Sequence, residues 1–267
     1  MFDDFTDGID PYWSQTCIGT GTLNSAASAL RMSIPAAKIG EYSDAQIDDY
    51  AGRSRANFPW KPPLRMEVQA RSSHPSATSQ STVESSNILR GTAGFGFWNY
   101  PFSVRGDILM LPESIWFFYA SPPSNMALVP DIPGWGWKAQ VIHSMRPEAL
   151  AATVPMALSA VWARITGETR PAARWLQRVS GASEALLNVT MEEWHTYRIE
   201  WWQNKATFWV DNLLVHTVLH PTTRPLGFVA WLDNQYAIAT PRGVLRFGTV
   251  ASGPQWLDLD SVMIEKR

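Results

Sequence analysis

Fourteen tryptophans stand out in this chain of 267 residues. An indole is broad and flat, so it buries well and also stacks on flat ligands such as sugar rings. Most of the fourteen read as packing residues, and four or five as platforms in a groove. The carboxylates are scattered. Asp107 and Asp131 sit in turn-like, Pro/Gly-rich surroundings and read as turn residues. Glu192 and Glu193 precede Trp194 and read as solvated, while Asp233-Asn234 follows a strand pattern and is placed at a rim. Arg170, Arg174 and Arg178 recur at steps of four, a basic stripe that is either a solvated face or an anion or partner contact. No Gly-rich phosphate loop, nucleophile elbow or His-Glu-x-x-His occurs. Cys17 is the one cysteine, which excludes an internal disulfide and a cysteine-based zinc site.

The elements that must position these residues are mostly strands. Leu64, Met66, Val68 and Ala70 alternate with Arg65, Glu67, Gln69 and Arg71, a half-buried strand. The stretches 92–100, 114–120 and 137–143 are rich in aromatic and β-branched residues and read as further strands. The stretches 197–202 and 207–210 form a hairpin through Gln203-Asn204-Lys205, and strands follow at 215–219, 226–232, 244–250 and 256–264. Ser72 to Ser86 reads as a long surface loop. Residues 147–187 read as a helical insertion. Leu150, Val154, Leu158, Val161 and Ile165 fall on one helix face, and Trp175, Leu176 and Val179 on a second, shorter helix. The first helix is apolar nearly all round. It packs either against the sheet as a satellite core or over the groove as a lid.

Hydrophobic residues make up 45% and charged residues 17% of the chain, which excludes a disordered chain. The net charge of −2, from 22 basic and 24 acidic residues, lacks the basic excess that nucleic-acid binding demands. No apolar run reaches the roughly 18 residues of a membrane span. The first residues, MFDDFTDGID, carry no secretory signal. The expectation is therefore a cytoplasmic protein as the sequence stands, or a secreted one if a signal was removed. Asn188-Val189-Thr190 is a formal glycosylation sequon of little weight without such a signal.

The block Trp194-His195-Thr196-Tyr197-Arg198-Ile199-Glu200-Trp201, followed by Thr207-Phe208-Trp209-Val210-Asp211, Leu213 and Val215, resembles the central hairpin of glycoside hydrolase family 16. Phe2-Asp3-Asp4-Phe5, Leu64 to Arg71, Gly94 to Tyr100 and Trp256 to Val262 resemble further blocks in that family's order. The resemblance spans most of the chain. It implies an all-β fold, a concanavalin A-like jelly-roll sandwich of two antiparallel sheets with ligand in the concave face. On that reading residues 1–267 form one domain with the helical insertion inside it.

The family's catalytic strand reads Glu-x-Asp-x-(x)-Glu. A retaining glycosidase needs two carboxyl groups about 5–5.5 Å apart. The corresponding segment here is Glu113-Ser114-Ile115-Trp116-Phe117-Phe118-Tyr119. One register offers Ser114, Trp116 and Phe118 or Tyr119 in place of the acids. The other keeps Glu113 but adds only Ile115 and Phe117 or Phe118. The resemblance therefore implies the fold without the family's carboxylate pair. The groove would be lined by Trp98, Tyr100, Trp116, Phe118, Trp135 and Trp137, an aromatic, largely uncharged surface suited to a flat or apolar ligand.

Gln140-Val141-Ile142-His143 loosely resembles the Gln-x-His strand of alginate-lyase jelly rolls, with Arg65, Glu67 and Arg71 imitating their Arg/Glu strand. The spacing departs by one residue, and the closing Tyr-Phe-Lys-x-Gly block of those enzymes is absent. Relocated chemistry on this reading would fall to Glu113, His143 and Tyr119. Three functions follow: a saccharide-binding or degenerate glycosidase relative, a protein holding an apolar ring-containing small molecule under the lid, or a glycoside hydrolase or lyase with relocated acid/base residues. No cofactor is expected. Asp260 matches a position that helps bind a structural calcium in relatives, which would need further oxygen ligands.

Overall fold

The computed structural model describes residues 1–26, 28–100, 112–126, 128–129, 131–144, 180–239 and 245–267. These form two large antiparallel sheets. The eight-stranded sheet runs in the order β14 (Leu213–Leu219), β13 (Lys205–Val210), β12 (His195–Trp201), β6 (Leu64–Ser72), β18 (Gln255–Lys266), β4 (Ala29–Ile34) and β3 (Thr22–Ala26), with β1 (Phe2–Asp3) paired to β18. The seven-stranded sheet runs β11 (Ser183–Leu186), β10 (Gly136–His143), β8 (Glu113–Ala120), β7 (Thr92–Trp98), β15 (Gly227–Asp233), β5 (Asp44–Asp48) and β2 (Ser14–Ile18). A small third sheet joins β17 (Leu245–Thr249), β16 (Gln235–Ala239) and β9 (Asn125–Met126). The only helix among the described residues is a 3₁₀ turn at Arg55–Asn57.

The eight-stranded sheet shows why period two was legible. Along β6 every second residue is buried: Leu64, Met66, Val68 and Ala70 face the other sheet. Their neighbours face outward, where cross-strand pairing sets Glu67 opposite Arg198 and Arg65 opposite Glu200. Opposite charges across a strand pair stabilise the register. Asp258 on β18 takes a bidentate Arg31 at 2.7 and 2.8 Å and Arg71 at 3.2 Å. The turn between β13 and β14 places Asp211 (φ 49°) and Asn212 (φ 67°) in the left-handed region, the pair of positive φ values a type I′ hairpin turn needs.

Between the sheets lies one continuous core. Phe95, Phe97, Ile115, Phe117, Tyr119 and Trp137 of the seven-stranded sheet meet Tyr197, Ile199, Trp201 and Phe208 of the other. Edge-to-face contacts such as Phe117–Tyr197 at 5.0 Å and Phe95–Tyr197 at 5.2 Å tie the layers together.

One expectation changes. Residues 183–186, read as the end of the helical insertion, form strand β11, which pairs with β10 from Ser183 opposite Val141 to Leu186 opposite Lys138. Alternating burial of Ser183 to Leu186 against a sheet edge outweighs a helical spacing that ran on only weakly. Residues 147–179, which carry the rest of the insertion and its lid, lie outside the described residues, as does Asp107. The long loop after β6 is present. The strands β2 to β5 were not foreseen, although β4 alternates Leu30, Met32 and Ile34 inward with Arg31 and Ser33 outward.

Candidate functional site

The outer face of the seven-stranded sheet, turned away from the core, carries an aromatic layer of its own. On β8 the residues facing it are Ser114, Trp116, Phe118 and Ala120, because Ile115, Phe117 and Tyr119 belong to the core. The structure thus selects the first of the two registers open in the sequence. Trp116 stacks on Phe118 at 5.5 Å and 22°, and lies 5.1 Å from Trp231 and 5.8 Å from Trp98. Trp98 contacts Tyr100 at 5.3 Å, and Tyr50 joins Tyr100 and Phe58 at 5.3 and 5.2 Å.

Two glycines make this layer possible. β7 alternates Gly94 and Gly96 outward with Phe95 and Phe97 inward. A Cβ on Gly94 would stand 2.9 Å from the Trp231 ring, and one on Gly96 would stand 2.6 Å from the Trp116 Cβ. The indoles on either side therefore lie across a strip of bare backbone. Gly96 also has φ +144°, which side-chain-bearing residues rarely adopt.

Polar chains anchor both central indoles. Trp116 Nε1 donates to Gln140 Oε1 at 2.6 Å, Gln140 donates to Glu184, and Lys138 Nζ donates to Glu184 Oε2 at 2.9 Å. The Lys138 and Glu184 side chains are 2% and 1% exposed. On the other side Trp231 Nε1 donates to Thr92 Oγ1 at 2.9 Å, and Thr92 Oγ1 donates to Asp233 Oδ1 at 2.8 Å. Asp233 also accepts from the Gln235 backbone at 2.9 Å.

Asp233 stands directly opposite Asp44 on β5, a position that brings Cβ atoms to about 4.5–5.5 Å. Both carboxyls are nearly fully buried. Burial, then the Asp233 charge, pushes Asp44 up to about 8, against the pull of a hydrogen bond from Tyr42. Burial pushes Asp233 up to about 6, restrained by its bonds from Gln235 and Thr92. Burial thus favours the protonated form of both carboxyls, more strongly at Asp44 than at Asp233. Asp48, two residues along β5, is raised by burial as well. Four buried polar atoms on this face have no hydrogen-bond partner among the described residues: Asp44 Oδ1, Tyr50 OH, Trp98 Nε1 and Ser114 Oγ.

The sequence-named residues divide. Trp98, Tyr100, Trp116 and Phe118 come together on the outer face. Trp137 does not: it is 2% exposed in the core, since the odd positions of β10 face the other sheet. Trp135 also leaves the face, packing at the edge of the core with Nε1 donating to Thr78 O at 2.8 Å. Tyr119 is a core residue whose hydroxyl donates to Leu89 O at 2.7 Å. Such a buried, committed hydroxyl has no access to a ligand on the outer face. Glu113 and His143 do meet, as cross-strand partners with Nε2 3.5 Å from Oε1. They meet at the open end between the sheets, beside Arg224 at 4.0 Å from Glu113, not on the aromatic face. Burial raises Glu113, while Thr222 and Arg224 hold it down.

Sequence reasoning missed Tyr50, Phe58, Trp231, Glu184 and the Asp44–Asp233 pairing, and it named Gln140 only in a lyase-like strand. The alternation Asp44-Ala45-Gln46-Ile47-Asp48 was a signal, polar outward and apolar inward. Asp260 stands at the bulge of β18. Among the described residues no group of three or more His, Cys, Asp or Glu gathers to hold a metal ion.

Comparison with known proteins places this geometry. The sequence model of Glycosyl hydrolases family 16 matches residues 173–235. No curated protein matches the chain. Among solved structures, one described with endo-acting O-glycanases of the human gut microbiota that initiate mucin breakdown superposes with TM-score 0.53 at 13% identity, covering 100% of this chain and 98% of the other. A glycoside hydrolase family 16 endo-glucanase from Bacteroides ovatus gives 0.51 at 12%, covering 99% of each chain. A glycoside hydrolase family protein from Mycobacterium thermorestibile gives the same values. At such identities the likeness establishes the fold, a two-sheet β-sandwich of the jelly-roll kind. The chain thus has this sandwich fold, and its residues 173–235 are similar to glycosyl hydrolases family 16.

Proposed function

We propose that the outer face of the seven-stranded sheet binds a saccharide. The observation that carries this reading is an aromatic platform with an unsatisfied hydrogen-bonding atom beside it. Ser114 Oγ is buried and unpartnered, and Ser114 is the cross-strand neighbour of Trp98. A buried polar group left unpaired costs about 1–3 kcal/mol, and a sugar hydroxyl stacked over Trp98 and Tyr100 relieves that cost. Trp98 and Tyr100 are the members of the cluster that keep part of their surface exposed, so a ligand meets them first. The family match and the glycosidase neighbours support a carbohydrate ligand.

β8 is the strand that the resemblance aligns with the family's catalytic one, and no carboxylate on it faces the aromatic layer. On this reading the protein holds sugars without the family's retaining pair on that strand. Titration with laminari-, cello- and chito-oligosaccharides, followed by tryptophan fluorescence and calorimetry, tests it. Trp98→Ala is expected to weaken binding about tenfold or more. If no oligosaccharide binds and a panel of apolar ring compounds does, the face serves an apolar ligand instead.

The Asp44–Asp233 pairing favours a second reading, a hydrolase with relocated acids. A protonated and an ionised carboxyl at such spacing are the acid and the nucleophile or base of glycoside hydrolysis. Asp44 would protonate the leaving oxygen and Asp233 would attack or activate water. Asp44→Asn and Asp233→Asn that abolish turnover while preserving binding support it. Binding without any turnover by the unaltered protein rules it out.

A further inference from the structure

A second cavity lies at one end of the sandwich, away from the aromatic face. It has a volume of about 500 Å³, within the range of small-molecule sites. The loop after β6, the turn after β8, strand β16 and the β17–β18 connection enclose it. Among the described residues its wall contains one cation, Arg90. That guanidinium makes no ion pair with any described carboxylate, and its one side-chain hydrogen bond goes to Ser85 O at 3.3 Å. Burial lowers its pKa, the mark of a charge short of solvent and counter-charge.

The Arg90 backbone is held in place. Gln255 accepts from its N–H and donates to its carbonyl, both at 2.8 Å. Ser252, on the same wall, is fixed through paired backbone bonds to Ala37 at 3.0 and 3.1 Å. Its Oγ is buried without a partner. The Tyr236 ring lies against Gly248, where a Cβ would stand 2.6 Å from it, and forms a flat side of the cavity. Ile39 and Val83, at 78% and 55% exposure, are apolar lips open to solvent. Glu84 also lines the cavity and disfavours a second negative charge on the occupant.

We propose that this cavity is a binding site for a carboxylate-bearing sugar residue. The Arg90 fork matches a carboxylate bidentately. Ser252 Oγ and the neighbouring Ser86 and Thr249 hydroxyls suit ring hydroxyls, and Tyr236 with Ile39 and Val83 suits a ring face. This site is independent of the saccharide reading of the outer face, because it shares no residue with that face.

Calorimetric titration of the full chain with sodium glucuronate tests it, with glucose and sodium acetate as controls. Glucuronate is expected to bind more tightly than either control. Arg90→Gln is expected to weaken it about tenfold or more, the loss of a charged hydrogen-bonding pair. Arg90→Lys, which keeps the charge and loses the fork, gives an intermediate loss, and Ser252→Ala a smaller one. These two variants carry the test if Arg90→Gln fails to fold. Equal binding of glucose and glucuronate, acetate binding as tightly as glucuronate, or an unaltered affinity in the Arg90 variants overturns the assignment.

Discussion

On one side of β8 lie Ile115, Phe117 and Tyr119; on the other lie Ser114, Trp116 and Phe118. Every residue of the strand is buried, so burial does not tell the two faces apart. Their polar chemistry does. Toward the core, the Tyr119 hydroxyl is satisfied by Leu89, and the Phe117 ring packs on Tyr197 and Trp137. Trp137 Nε1 is the one buried polar side-chain atom of these residues without a partner among the described residues. Toward the outside, the indoles are tethered through Gln140 and Thr92 to Glu184 and Asp233, two buried carboxyls face each other across β15 and β5, and Ser114 Oγ, Asp44 Oδ1, Tyr50 OH and Trp98 Nε1 lack partners among the described residues. A core minimises such groups. Their accumulation on one face of a sheet marks it as built for something other than packing.

The comparison can be broken most directly at its two centres. Phe117→Ala, on the core side, is expected to cost about 3–5 kcal/mol in urea unfolding and to leave ligand specificity alone. Lys138→Met, on the outer side, leaves Glu184 as a buried unpaired carboxylate and is expected to cost a similar 3–5 kcal/mol. A cost below 1 kcal/mol there would mean that the Lys138–Glu184 pair is not the sealed pair its burial implies.

Gly96→Ala sharpens the comparison at lower amplitude. It puts a methyl against the Trp116 Cβ and strains a positive φ, for about 1–3 kcal/mol. It also displaces the Trp116 ring, so saccharide affinity should fall together with stability. Gly253, whose added Cβ meets nothing within 4 Å, is the control position and should tolerate alanine with little change.

The remaining expected effect is in pH dependence. Asp44 and Asp233 have folded pKa values raised to about 8 and about 6 from 3.8, and Asp49 is raised to about 7 by burial. A raised carboxyl binds its proton more tightly in the folded than in the unfolded chain. Its stabilising contribution is therefore complete below about pH 4 and is lost as the pH climbs through the folded values. Unfolding midpoints should fall between pH 5 and pH 8, and Asp44→Asn should flatten that decline. An unchanged slope in Asp44→Asn would place the titration elsewhere, with Asp49 the next residue to replace.

The legible part of the fold was the part with one polar face. The outward charges of β6 and β12 made period two visible, and the hairpin block at Trp194 to Asp211 carried the family resemblance that its match over 173–235 upholds. The sequence also supplied half the site, since Trp98, Tyr100, Trp116 and Phe118 share a face. Strands β8, β10 and β15 are buried on both faces. β8 is apolar from Ile115 onward, so the sequence left two registers open for it. β10 alternates Lys138 and Gln140 with Trp137, Ala139 and Val141. That parity does not say which of two buried faces meets the other sheet, so Trp137 was put on the wrong side.

Composition and alternation, then, determined an all-β sandwich rich in stacking rings, because side-chain direction along a strand is a local property of two residues. Only the tertiary structure decided which face each ring occupies, that Asp44 meets Asp233 and that Glu113 meets His143 away from the aromatic layer. Strand order sets those meetings, and it joins β15 to β5 across nearly two hundred residues of chain. Pairing at that separation depends on how two whole sheets close over a core, which no local pattern records.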